Sequence, residues 1–230
     1  MVGNTVSLYA YFLFRFLGDS FVYRLVNQAL RTGDPDLIPP YRFFINDLYS
    51  VLLYLPCRDI GSDEEDFVVC RGQGLTQPER TSLQSSVGQL VTFASFISTT
   101  VDRELAYGYA RTSARENVVP AFFEFHMNTQ YDNTRPYAYV ANYSAIRDEY
   151  EVLISVGTIF RLISIAQDLE TGIWCIVLSL CQQHNNDIKH LMPTKRGRRK
   201  IKFVKFCPSP SPAELTFHET LKMNLFSKRR

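Results

Sequence analysis

The apolar pattern of this 230-residue chain changes period once, and that change limits the folds open to it. Up to Pro56 the apolar residues recur every three to four positions. In "DSFVYRLVNQALRTGD" the residues Val22, Leu25, Val26, Ala29 and Leu30 form one helical stripe. Asp19 or Ser20 can cap this helix, and Gly33 stops it. In "PPYRFFINDLYSVLLYLP" the stripe is Phe44, Ile45, Leu48, Val51, Leu52 and Leu55, between Pro39-Pro40 and Pro56. From Phe67 onward six strand-like runs take over: "FVVCRG", "QLVTFASFIS", "VVPAFFEFHM", "EVLIS", "TIFRLISIA" and "GIWCIVLSLC". Two short helices interrupt them. "TQPERTSLQSS" opens with a capping box of Thr76 and Glu79, with Pro78 in its first turn. "TVDRELAYGYA" is expected to be capped by Thr99 or Thr100. Helices first and strands later predict an α+β fold, not a regular βαβ alternation. The polar stretch from Asn128 to Arg135 reads as a loop, and no internal repeat is evident.

Charge divides the chain further. From Lys189 onward there are twelve Lys/Arg and two Asp/Glu, against thirteen and twenty-one before it. The body is therefore acidic and the tail strongly basic, although the whole carries only +2. An acidic body is a poor binder of nucleic acid. The tail suits RNA, DNA, anionic lipid or an acidic surface of its own body. We expect an N-terminal segment at 1–18, one folded domain at 19–190 and a flexible basic, Pro/Ser-containing tail at 191–230. The run "KRGRRK" reads as a solvated tail in preference to a nuclear signal. The segment "SLYAYFLFRFLG" is too short to span a bilayer, is interrupted by Arg15 and lacks a basic leader. It reads as packed on the domain, with a signal remnant as the alternative. Five cysteines without a CxxC pair favour a reducing, cytoplasmic setting. A secreted form with a Cys57–Cys181 disulfide is the alternative.

Three stretches carry polar residues where a purely structural reading wants apolar ones. "VVCRGQG" places Arg71 at the end of a buried strand, followed by Gly72, Gln73 and Gly74. Arginine offers a planar fork of donors that suits phosphate oxygens, and glycine permits close approach to the backbone. By itself this is an ordinary strand end with a turn. "FASFISTT" ends in hydroxyls that commonly cap helices, yet Ser98 continues the face of its strand. "RDEYEVLISVGTIFRL" sets Glu149 and Glu151 two apart before an apolar run, hence on one face if both are in the strand. Two such carboxylates repel, and a solvated strand mouth explains them when they are taken alone. No His or Cys has metal-ligand spacing, His126 on its strand reads as structural, and Ser98 has no sign of a triad. "RGQG" lacks the third glycine and the βαβ context of a dinucleotide fingerprint.

Taken in order, Arg71, then Ser98, then Glu149-x-Glu151 resembles the signature of the arginine-specific mono-ADP-ribosyltransferases. "CRGQG" stands where that family has an aromatic before RGQG, "FASFISTT" where it has F-x-S-F-x-S-T-S, and "SAIRDEYEVLISVGTIFRL" where it has S-x-x-x-x-E-x-E-V-L and a further strand. "FVYRLVNQALR", "FFINDL" and "GIWCIVLSL" are similar to its helical lead-in and last strand, so the resemblance covers about residues 19 to 185. It implies a helical lead-in followed by a two-sheet mixed β core.

It also implies a reaction: ADP-ribose passes from NAD+ (or NADP+) to an arginine of a target protein, without a metal. Glu151 would bond the nicotinamide ribose and stabilise its developing positive charge. Glu149 would orient the acceptor guanidinium and take its proton. Arg71 would bind the diphosphate, Gly72 the carboxamide through its backbone, and Ser98 would hold the ribose side and orient Glu151. Thr100 stands where the pattern has serine, and Ile146 where relatives often carry an aromatic. Two other readings remain: an NAD glycohydrolase in which water replaces the acceptor, and a degenerate scaffold acting through its basic tail.

Overall fold

The structure, a computed structural model, describes residues 21–32, 34, 36–55, 66–129, 137–140, 150–181 and 202–203. The lead-in is helical as expected. Helix α1 is Phe21–Thr32, and a short 3-10 turn at Pro39–Tyr41 runs into α2, Arg42–Tyr54. Val26 and Leu30 of α1 pack with Leu48, Val51 and Leu52 of α2. The expected caps Asp19 and Ser20, the stop at Gly33, and Pro56 lie outside the described residues, as does Cys57 of the disulfide alternative.

Among the described residues nine strands follow: β1 Asp66–Thr76, β2 Leu90–Thr92, β3 Ile97–Thr100, β4 Val118–Asn128, β5 Tyr137–Tyr139, β6 Glu151–Ile154, β7 Ile159–Gln167, β8 Trp174–Leu180 and β9 Lys202–Phe203. Helix α3, Gln77–Gln84, sits between β1 and β2, and helix α4, Arg103–Thr112, between β3 and β4. The class is α+β, as the change of period predicts. The strands form one hydrogen-bonded series in the order β5-β6-β3-β1-β4-β8-β7-β2-β9. The β4–β8 and β2–β9 pairs are parallel and the others antiparallel. The series therefore shows no break into two sheets. It does narrow at one joint: β1 and β4 pair along eleven positions, but β1 and β3 share one register pair, Cys70 with Thr100.

Among the described residues, two large apolar clusters hold the sheet, and a smaller one packs Ala106 and Ala110 of α4 against Cys70 and Phe122. Val91 of β2 and Tyr137 of β5, near opposite ends of the series, meet in one cluster with Val69, Phe123, Phe125, Phe160 and Ile176. Strands from both ends can share a core only if the sheet curls on itself. The rings of Phe93, Phe125 and Phe160 lie 5.2–6.0 Å apart at its centre. On the other side, Leu153 of β6 and Ala138 of β5 receive α1 and α2. Asn27, buried on α1, accepts the backbone N–H of Phe96 at 3.2 Å and so ties the lead-in to the residue before β3.

Several local expectations are met and others are corrected. Thr76 and Glu79 form the expected capping box. The strand read as "FVVCRG" runs on through Thr76, because Gly72, Gln73 and Gly74 keep their pairing with β4. "QLVTFASFIS" is two strands, since the chain leaves the ladder between Thr92 and Ile97. Asp102 caps α4 by accepting the N–H of Leu105 at 3.0 Å, whereas Thr99 and Thr100 are buried within β3. Thr100 Oγ1 instead accepts the N–H of Asp102 at 3.0 Å. The stretch expected to be a flexible tail contributes β9, paired in parallel with β2. A basic composition does not prevent this, because an edge strand offers unpaired backbone groups to any extended segment.

Gly72 is fixed by packing. Helix α4 crosses β1 so closely that a Cβ at Gly72 would lie 1.9 Å from the Ala106 carbonyl oxygen and 2.3 Å from the Ala110 nitrogen. Both atoms belong to the helix backbone, so no side chain can move aside. Gly72→Ala is therefore expected to cost at least about 1–3 kcal/mol of stability, the range for overpacking a core. Denaturant unfolding of the two proteins checks this; an unchanged midpoint would contradict the packing.

Candidate active site

The narrow joint between β1 and β3 is where the polar residues gather. Beyond the Cys70–Thr100 pair the two strands separate, and the Ser98 carbonyl is not used by the β1 backbone. Arg71 takes it: Nη1 donates to the Ser98 oxygen at 2.8 Å, and Nε donates to Gln73 Oε1 at 2.8 Å. Ser98 uses its hydroxyl in the other direction, donating to Glu151 Oε1 at 2.5 Å. Ser98 pairs with Leu153, and Thr100 with Glu151, so all four residues share one face of the β3–β6 ribbon. One chain of contacts thus links a guanidinium on β1, a hydroxyl on β3 and a carboxylate at the start of β6.

These groups line an open cleft, together with Cys70, Gly72, Thr99 and Thr100 from the strands and Leu105, Ala106 and Tyr109 from α4. Glu151 is buried, and Arg71 and Ser98 are half-buried. The cavity carries positive charge on one side and negative charge on the other, with the Ser98 residue between them. Such a site suits a ligand that is anionic in one part and carries or develops positive charge in another. Cys70 contributes a neutral wall: burial pushes its thiol up to about 11. Among the described residues no cluster of His, Cys, Asp and Glu could hold a metal ion.

Of the residues expected from the sequence, the structure brings Arg71, Gly72, Ser98 and Glu151 together. Glu149 and Ile146 lie outside the described residues. β6 begins at Glu151, and Tyr150 just before it adopts φ 44°. The α4 wall was not foreseen. Leu105 and Tyr109 stand four apart on "RELAYGYA", a spacing that places both on one helical face, and this was the available signal. In the sequence Gln73 shows only as a residue between two glycines.

Helix α4 is braced from outside the cavity. Arg103, in its first turn, pairs with Glu124 of β4 and lies over the Phe122 ring at 4.9 Å. His126 Nε2 meets the other Glu124 oxygen at 2.9 Å, so this histidine serves the brace, as the structural reading of its strand expected. Burial by itself would raise the Glu124 carboxyl, but the hydrogen bonds from Arg103 and His126 outweigh it and hold the group below its ordinary value. A carboxyl lowered in the folded state stabilises the fold above the unfolded value and loses that contribution as pH falls through the folded one. Glu124→Gln should therefore be less stable than the parent at pH 7. The gap should close as pH falls below about 4.5. Thermal midpoints between pH 7 and pH 3 test this, and parallel curves would contradict it.

No protein-family model matches the sequence, and no curated protein matches it. Solved structures do match. Vis, an ADP-ribosyltransferase toxin of Vibrio splendidus, superposes in its complex with the M6 inhibitor at a TM-score of 0.59 and 18% identity, over 77% of this chain and 74% of that one. Its complex with agmatine gives 0.54 and 20%, over 77% and 75%. C3stau2 from S. aureus, solved with NAD, gives 0.53 and 14%, over 76% and 87%. The chain has the fold of the mono-ADP-ribosyltransferases.

Proposed function

We propose that this chain transfers ADP-ribose from NAD+ to the guanidinium of an arginine in a target protein, with release of nicotinamide. The observation that carries the proposal is the contact chain Arg71–Ser98–Glu151 across the open joint of the sheet. Its charges match the two needs of NAD+. Arg71 would hold the anionic diphosphate through charge-assisted hydrogen bonds. Glu151 would stand against the nicotinamide ribose, oriented by the Ser98 hydroxyl.

The step itself is a displacement at the ribose carbon. The bond from that carbon to the pyridinium nitrogen breaks, and nicotinamide leaves as a neutral molecule with the bonding electron pair. The positive charge passes to the ribose, where the buried carboxylate of Glu151 would stabilise it. A guanidinium nitrogen then supplies the pair for the new carbon–nitrogen bond and loses a proton. Free arginine keeps that proton in water, so a base beside the acceptor is needed, and Glu149 is the residue we assign to it. Gly72, on the cavity wall, is the residue we assign to the carboxamide through its backbone, and Thr100 keeps a hydroxyl where the family pattern has serine. Agmatine, an arginine analogue, is the ligand of one Vis complex and NAD that of the C3stau2 structure. Both are compatible with this reading.

The two glutamates can be separated by one assay with two readouts: nicotinamide release, and transfer of labelled ADP-ribose to agmatine. Glu151→Gln should lower both by a factor on the order of a hundred or more, as for other single groups that stabilise transition-state charge. Glu149→Gln should abolish transfer while part of the release to water persists. A glycohydrolase would give no transfer even in the parent protein, and a solvated strand mouth would leave both variants unchanged.

The proposed boundaries are a domain at 19–190, preceded by segment 1–18 and followed by the basic tail at 191–230. A chain ending at Leu191 should then release nicotinamide at a rate within about twofold of the parent. It should lose no more than about 1 kcal/mol with the β9 pairing, a value typical of a few hydrogen bonds and one cross-strand contact. Loss of the cooperative unfolding transition in that chain would show that the boundary is misplaced.

A further inference from the structure

Gln73 is a buried amide in a place where an apolar residue would fit the surroundings better. Arg71 and Gln73 are two apart on β1 and therefore point to one face, the face on which Val69 and Leu75 join the main apolar cluster. Gln73 is 4% exposed. Its Oε1 accepts the Arg71 Nε–H, and its Nε2 is buried without a hydrogen-bond partner. The orientation of the amide is not arbitrary. The Arg71 Nε–H can only donate, so the atom facing it must be the amide oxygen, and Nε2 is forced to the opposite side. An unpaired buried donor costs free energy that leucine or methionine would not incur. Serving Arg71 is what this glutamine does in return.

We infer that Gln73 is a positioning residue that fixes the plane of the Arg71 guanidinium for the diphosphate. This rests on the reading of the cavity as an NAD+ site. A guanidinium is rigid and planar, so two bonds at different nitrogens set its orientation. Gln73 Oε1 holds Nε, and the Ser98 carbonyl holds Nη1. Of five N–H groups these bonds take two, and three remain for an anion, both on Nη2 among them. Without Gln73 the guanidinium keeps the Ser98 bond and can turn about it. The cost should then fall on binding of the diphosphate, not on chemistry at the ribose.

The test is a double-mutant cycle in the full chain, with NAD+ as ligand and nicotinamide release as readout. Gln73→Leu should raise KM for NAD+ by about tenfold, the order expected for a hydrogen bond to a charged group, with kcat nearly unchanged. Its thermal midpoint should stay level or rise, since the unpaired amide is gone. In an Arg71→Ala background the same change should move KM by less than about twofold, because residues that act through one another are not additive. Gln73→Met, with the same reach and only a weak acceptor, should behave like the leucine variant. Equal effects in both backgrounds would overturn the inference. So would a fall in kcat together with a lowered midpoint, or failure of both variants to fold. If the parent protein releases no nicotinamide from NAD+, the functional reading fails and this inference with it. Release with an additive cycle would sink the inference alone.

Discussion

A strand pair that stops pairing is the constraint on which this site depends. β1 and β3 touch at Cys70 and Thr100 and then part, which leaves the carbonyl of Ser98 without its neighbour in the ladder. This half-buried carbonyl is paired by a side chain instead, the guanidinium of Arg71. The same separation opens the cavity, while the β3–β6 pairing sets the Ser98 hydroxyl on the face of Glu151, which it reaches. An arginine in the middle of β1 is thereby paired with backbone and held with donors to spare. Had the ladder continued, there would be neither a gap for a ligand nor a free acceptor to orient the arginine.

The remaining elements hold this opening in shape. Helix α4 closes one wall of the cavity and lies so near β1 that only glycine fits at position 72. Asp102 starts the helix directly after β3, and Arg103 pins it to Glu124 on the outer side of β4. Helices α1 and α2 press on Leu153, the neighbour of Ser98 across the β3–β6 ribbon. The curled core of phenylalanines keeps β4 and β7 from yielding at the opposite side. Arg71, Ser98 and Glu151 each stand on a regular strand, backed by packed residues, which suits groups that must hold charge in fixed positions.

Local chemistry was readable in the sequence where it involved residues close together. The stripe of Val26, Ala29 and Leu30 declared a helix, and Thr76 with Glu79 declared the start of another. The order of Arg71, Ser98 and Glu151 pointed to the fold and to three residues that the structure brings into contact. What was not readable depended on partners far along the chain. Phe93 to Phe96 look like strand residues, yet Asn27, sixty-nine residues before Phe96, takes its N–H. Thr99 and Thr100 look like caps, but the pairing with Val152 and Glu151 keeps them in a strand. Gly72 looked like room for a ligand, and it is also room for a helix. The pairing of Lys202–Phe203 with β2 had no signature at all in a basic stretch.

The proposed chemistry depends on where the diphosphate lies. The direct measurement is a crystal structure of the protein with a non-hydrolysable NAD+ analogue bound. We predict a phosphate oxygen within hydrogen-bond distance of the Arg71 guanidinium, with the Gln73 and Ser98 bonds retained. The nicotinamide ribose should then lie against Glu151. An analogue bound away from this cavity, or bound in it with its diphosphate out of reach of Arg71, would contradict the account.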